Sequence, residues 1–200
     1  MKPGIKIKHL LYRFRLMLDK SYYTEYLRKQ GVRIGRNSVV LYPSYIDGRM
    51  PYLVEVGDNV VMSLNLTILT HDAASAYAGD LIKVGRVYIR DNSFIGANST
   101  ILCNVSIGPN SIVGAGSVVS KDVPPGTVYA GSPARFVCSI DQFIEKHRNL
   151  AENHPFFEGK HFEHPYIPNR RKEILRQHLK DTSGYICADL PEERVSKIKD

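Results

Sequence analysis

The stretch Leu69-Thr70-His71-Asp72 puts an imidazole beside a carboxylate, and His71 is the sole histidine between residues 31 and 138. Imidazole is the side chain best suited to exchanging a proton near neutral pH, so a lone histidine fits general-base work on a hydroxyl. A metal site asks for more: a catalytic zinc keeps three protein ligands and one open position. Cys103, Cys138 and Cys187 are too scattered for a CxxC site or a disulfide framework. His154, His161 and His164 follow one another later in the chain, and we read them as solvated or packing side chains. No metal is expected. Which group would orient the second imidazole nitrogen is open at this level. Asp72 is adjacent, but neighbours in extended chain seldom face each other; Asp47, Glu55 or a backbone carbonyl are the alternatives.

What must position His71 is legible as a repeat. Ile89, Ile95, Ile101, Ile107, Val113 and Val119 stand six apart without slip. Val56, Met62 and Ile68 keep the same step, as do Ile34, Val40 and Ile46. Glycine follows the aliphatic residue at Ile34, Val56, Ile95, Ile107 and Val113. A step of six fits neither strand alternation nor a helical stripe. It fits a solenoid with short flat strands and tight corners, in which each aliphatic points inward and its glycine permits a tight corner or close packing. Three such sides close a triangular coil, and stacked coils bury the faces their neighbours leave open.

Several segments carry a family likeness: Val54–Val60 (VEVGDNV), Thr67–Asp72 (TILTHD), Phe94–Leu102 (FIGANSTIL) and Val105–Arg135. On these, residues 31–138 resemble the hexapeptide-repeat acyltransferases, in particular the maltose, galactoside and xenobiotic O-acetyltransferases and their relatives in surface-polysaccharide clusters. The resemblance implies an all-β solenoid, a left-handed parallel β-helix. It implies transfer of an acetyl group from acetyl-CoA to a hydroxyl of a sugar or polysaccharide precursor, with His71 as base and no covalent enzyme intermediate. Family positions that contact the coenzyme match Ala97, Ala115, Ser120, Lys121 and Arg135. Small side chains at 97 and 115 suit a ligand lying close to backbone, and Lys121 and Arg135 suit phosphate oxygens. Asp47 and Asp72 are expected at the acceptor. The family's homotrimer, with a site between two subunits, carries over as an expectation. N-acetylation of an amino sugar or nucleotide sugar, or a catalytically silent β-helix scaffold, are the alternatives. Arg90 departs from the pattern where glycine is usual, which implies an altered turn, and Phe94 stands where tryptophan is common.

The period breaks twice. Ile46 to Val56 spans ten residues, so a bulge near Gly48–Pro51 is expected. Ile68 to Ile89 spans twenty-one, so a larger loop leaves the coil at His71. Insertions in solenoids map to loops, often on the binding face. Without the repeat, His71 would read as a surface residue; at the exit of a coil it reads as catalytic.

Three regions follow. Residues 1–30 form a basic N-terminal helical segment, 31–138 the β-helix, and 139–200 a helical and extended arm. The net charge of +7 divides unevenly, with eight Lys/Arg against two acids in residues 1–30. There Leu10, Leu11, Phe14, Met17 and Leu18 line one helical face, for packing on protein or for weak peripheral contact with an anionic membrane. No recognised module accompanies the charge, which argues against nucleic acid. Ser139–Asn153 predicts a helix capped by Ser139, and Asn169–Lys180 a second one. The cysteine usage and the lack of a signal segment predict a cytoplasmic setting.

Overall fold

Asparagine turns the corners. A computed structural model describes residues 20–157 and 168–186. In it Asn37, Asn59, Asn65, Asn92, Asn98, Asn104 and Asn110 all have φ between 55° and 63°. This left-handed conformation is disfavoured for most side chains and tolerated by asparagine. Between corners run short strands: β1 Arg33–Ile34, β2 Val39–Val40, β3 Tyr45–Ile46, β4 Val54–Val56, β5 Val61–Met62 and β6 Thr67–Ile68. After an excursion the coil resumes with β9 Val87–Ile89, β10 Phe94–Ile95, β11 Thr100–Ile101, β12 Val105–Ile107, β13 Ile112–Val113 and β14 Val118–Val119. The excursion itself pairs β7 (His71–Asp72) antiparallel with β8 (Lys83–Val84).

Three parallel sheets make the sides of a prism. Side A is β1-β4-β9-β12; side C is β3-β6-β11-β14. Side B runs β2-β5-β10-β13 and is extended by β15 (Thr127–Ala130), against which β16 (Arg135–Ser139) folds back antiparallel. The registers match the six-residue step: Ile68, Ile101 and Val119 are in line, as are Met62, Ile95 and Val113. Ile68, Ile89, Ile95, Ile101 and Ile107 have no exposed surface. Each contributes about 1.5–3 kcal/mol by leaving water.

The corners decide one open choice and correct one expectation. The glycines that follow the inward aliphatics serve close packing between coils, not left-handed backbone. A Cβ at Gly96 would lie 2.4 Å from the amide nitrogen of Ala115, and one at Gly108 equally close to that of Pro125. Arg90 does not alter its turn: its N–H still donates to the Ile107 carbonyl at 3.0 Å, and its guanidinium lies over the Tyr88 ring. Buried Ser93, Ser99, Ser111 and Ser117 follow the turn residue and donate to corner carbonyls of Gly108, Gly96, Pro124 and Gly114. Asn37, Asn59, Asn92 and Asn110 form an amide ladder up one corner.

Helix α1 (Lys20–Lys29) covers the first coil. Tyr23 and Leu27 join the core, and buried Thr24 accepts the Val40 N–H at 3.0 Å. The expected apolar face of residues 10–18 lies outside the described residues. The chain divides into two units between Phe143 and Ile144. Helix α2 (Ile140–Glu152) begins at the end of the first, with Ser139 and Gln142 bonded reciprocally as a capping box. The second unit contains most of α2, strand β17 (Phe156–Phe157), helix α3 (Asn169–His178) and strand β18 (Tyr185–Ile186), which pairs with β17. Within it, His147 lies 3.1 Å from the Tyr185 hydroxyl and His154 donates to the Leu150 carbonyl. His161, His164 and Cys187 fall outside the described residues. No helix among the described residues is long and apolar enough to cross a membrane.

Candidate active site

Asp47 and His71 meet where sides C and A join. Asp47 follows Ile46, the inward residue of β3, and its N–H donates to the Ile68 carbonyl at 2.9 Å. Thr70 is the second residue after Ile68, one coil further on. The stacking therefore brings residues 24 apart in sequence into contact, and the Asp47 carboxylate accepts from His71 Nδ1. The Thr70 hydroxyl donates to Asp47 Oδ2 at 2.7 Å, its N–H to the same oxygen at 3.1 Å, and the Arg49 N–H to Oδ1 at 3.1 Å. Asp47 and Thr70 have no exposed surface, while the His71 side chain is 21% exposed. Burial acts to raise the Asp47 pKa, but donation by Thr70, Arg49 and His71 outweighs it and holds the group down at about 2. An ionised, fully hydrogen-bonded carboxylate fixes the Nδ1 proton and leaves Nε2 as the basic atom.

Asp47 was expected at the acceptor; it is wholly enclosed and faces His71 instead. Among the groups considered for orienting the imidazole, it is the one in contact. Asp72 turns away and caps the loop, accepting the Ala74 N–H at 2.9 Å. Glu55 lies on side A with Arg33 and Arg90. Thr70 was not anticipated, and no spacing pattern marks it. Asp47 is the one carboxylate after an inward residue of side C, where the other coils carry Leu69, Leu102 and Ser120.

Asp47 also makes stability depend on acid. Its folded pKa lies below the ordinary 3.8. The stabilisation is thus complete above about pH 4 and is lost as pH falls towards 2, on the order of 2 kcal/mol. We expect the gap in melting temperature between the natural protein and Asp47→Asn to narrow as pH falls from 4 towards 2. A gap that stays constant or widens below pH 4 contradicts an ionised Asp47.

The residues expected at the coenzyme divide between two edges. Ala97 and Ala115 stack where sides B and C join, and the Ala97 carbonyl accepts the Gly116 N–H at 2.8 Å. Arg135 is exposed and pairs with Ala130 on the same edge. A Cβ at Gly116 would meet nothing within 4 Å, so this edge borders open space. Ser120 and Lys121 are exposed at the opposite end of side C, on the His71 edge. Lys121 lies two coils from Thr70 in the register, or ~10 Å along the axis. Cys103 is buried on that edge, between them in the stack. Among the described residues no group of three His, Cys, Asp or Glu is placed to hold a metal.

Residues 86–121 match the family model described as bacterial transferase hexapeptide (six repeats). The chain is 34% identical over 150 residues to "Putative acetyltransferase YvoF" of Bacillus subtilis (strain 168), spanning 75% of this chain and 77% of that protein. It is 36% identical over 116 residues to galactoside O-acetyltransferase of Escherichia coli (strain K12), covering 55% of each. In fold it is similar to the hexapeptide-repeat acetyltransferase VCA0836 from Vibrio cholerae, with a TM-score of 0.50 at 24% identity, over 68% of this chain and 91% of that one. The chain belongs to the hexapeptide-repeat transferases, and its solenoid is their left-handed parallel β-helix. It is an enzyme, an acetyltransferase that takes its acyl group from acetyl-CoA.

Proposed function

We propose that the chain is an O-acetyltransferase acting on a sugar hydroxyl, with His71 as general base, and that it works as a homotrimer. The observation that carries the reading is the enclosed Asp47–His71 pair at a loop exit. Oxygen rather than nitrogen transfer is supported by the galactoside O-acetyltransferase relative.

His71 Nε2 takes the acceptor hydroxyl proton as the oxygen attacks the thioester carbonyl carbon. Asp47 stabilises the resulting imidazolium, as a buried carboxylate does in other His–Asp pairs. The donor supplies the acetyl group and a good leaving thiolate. His71 then returns its proton to that sulfur as the C–S bond breaks, and the C–O bond remains. Ala97 and Ala115 offer a groove wall without bulk, beside the open space at Gly116, and Arg135 and Lys121 offer cations for phosphates.

The division between edges supports a trimer. A two-fold axis would set like edges together, whereas cyclic three-fold assembly sets the edge of one copy against a different edge of the next. Each groove then holds His71, Ser120 and Lys121 of one chain and Ala97, Ala115 and Arg135 of its neighbour. His71→Ala chains and Ala115→Trp chains are each expected to be inactive alone. Dissociated and reassembled in equal amounts, they should recover about a quarter of natural activity, since each mixed trimer regains one intact groove of three. Trimers of the right mass with no recovery would place the whole site within one chain.

A further inference from the structure

Thr70 joins the two interruptions of the six-residue period. Its hydroxyl and its N–H both donate to Asp47 Oδ2, at 2.7 and 3.1 Å, the oxygen that also accepts from His71 Nδ1. Its carbonyl accepts the Gly85 N–H at 2.9 Å, where the loop that left at His71 returns to the coil. Gly85 is itself pinned from the other side, since a Cβ there would lie 2.7 Å from the Asn104 amide nitrogen. Every polar group of this fully buried residue is therefore committed, two to the carboxylate and one to the loop. We propose that Thr70 is the positioning residue of the Asp47–His71 pair: its hydroxyl holds the carboxylate in line with Nδ1, so that the imidazole proton stays on that atom and Nε2 stays free to act as base. The inference rests on the general-base reading above and adds the group that aligns the base.

The hydroxyl is not needed to fill space. Thr70 is the second residue after Ile68, and the matching positions on the other strands of side C hold Gly48, Cys103 and Lys121. Side C therefore places a hydroxyl here once, beside its one carboxylate that follows an inward residue. Valine has the same shape and would keep the apolar contacts without burying an OH, a group whose burial is costly unless it is bonded. What valine loses is the donor. Burial pushes the Asp47 pKa up, and the Thr70 hydroxyl is the strongest of the bonds that bring it down to about 2. Three donors fix the direction of Oδ2, while Oδ1 has the Arg49 N–H at 3.1 Å. A methyl group cannot stand where the hydroxyl does, because heavy atoms in contact without a hydrogen bond sit at about 3.5 Å. With valine the carboxylate must turn, and the line from Oδ2 to Nδ1 turns with it.

The test uses Thr70→Val and Thr70→Ser in the full chain, with the histidine rings labelled with ¹⁵N. Long-range proton–nitrogen spectra, recorded above the usual imidazole titration range, show which ring nitrogen carries the proton. We expect His71 of the natural protein to carry it on Nδ1 alone, Thr70→Ser to match, and Thr70→Val to show a mixture of the two tautomers. This measurement needs no acceptor, so it decides the role of Thr70 whatever sugar the enzyme prefers. With acetyl-CoA and methyl β-D-galactoside as probe, thiol release by Thr70→Val should fall roughly tenfold in kcat, the size of one hydrogen bond to a charged group, with the KM for acetyl-CoA unchanged. Thr70→Ser should recover most of that loss. In the natural protein the Thr70 hydroxyl proton should exchange slowly with water and show a nuclear Overhauser contact to the His71 Nδ1 proton, a result that does not depend on a variant folding. An unchanged tautomer in Thr70→Val, or no such contact in the natural protein, overturns the role of Thr70. A mixed tautomer with undiminished acetyl transfer leaves the alignment standing and overturns His71 as the base instead.

Discussion

His71→Ala should lower acetyl transfer by roughly 10²–10⁴, the range lost when a positioned general base is removed. The acceptor hydroxyl is a weak nucleophile until its proton has a destination. Water in the vacated space offers a poorer and unoriented base. The fold should survive, because Asp47 keeps three of its four donors, the two from Thr70 and the one from Arg49. Coenzyme affinity should hold as well, since the imidazole is bonded to Asp47 and not to Ala97, Ala115, Ser120, Lys121 or Arg135. Release of free thiol on acetyl transfer reads the first effect, and calorimetric titration with acetyl-CoA reads the second. Turnover within threefold of the natural rate would remove the base assignment. Loss of coenzyme binding would mean that the imidazole serves the donor instead.

Gly108→Val should be the most damaging single change to the fold. A Cβ at Gly108 would sit 2.4 Å from the nitrogen of Pro125, 2.7 Å from its Cα and 2.8 Å from the carbonyl carbon of Pro124. All three are backbone atoms of the next coil, held by two prolines, so no rotamer change relieves the contact. Moving that coil away stretches the bonds from the Gly108 N–H to the Val123 carbonyl at 2.8 Å and from the Ser111 hydroxyl to the Pro124 carbonyl at 2.9 Å. Overpacking costs typically 1–3 kcal/mol, and this rigid case belongs at or beyond the upper end. A fall of roughly 10 °C in melting temperature follows for a unit of this size. Gly48→Ala is the control, because its added methyl meets nothing within 4 Å. Differential scanning calorimetry of the two decides the matter; equal melting temperatures would show that the coils do not close-pack at Gly108.

How much of this was legible beforehand varies by residue. Ile89 to Val119 declared the solenoid because a buried position repeated every six residues needs no partner outside its own stack: local chain geometry and burial select the same residues. Ser139 announced the start of α2 for the same local reason, its hydroxyl serving Gln142 three residues on. The corner glycines were visible but left between two readings, because a requirement for space and a requirement for φ leave the same letter in the chain. His71 stood out by being alone. Its partnership with Asp47 is a product of stacking, in which the residue 24 positions earlier arrives beside it only after a coil has closed. The same holds for the separation of Ala115 from Lys121 onto opposite edges. Periodic burial is encoded locally, while contacts across coils depend on how much chain each coil consumes, and the two insertions set that length.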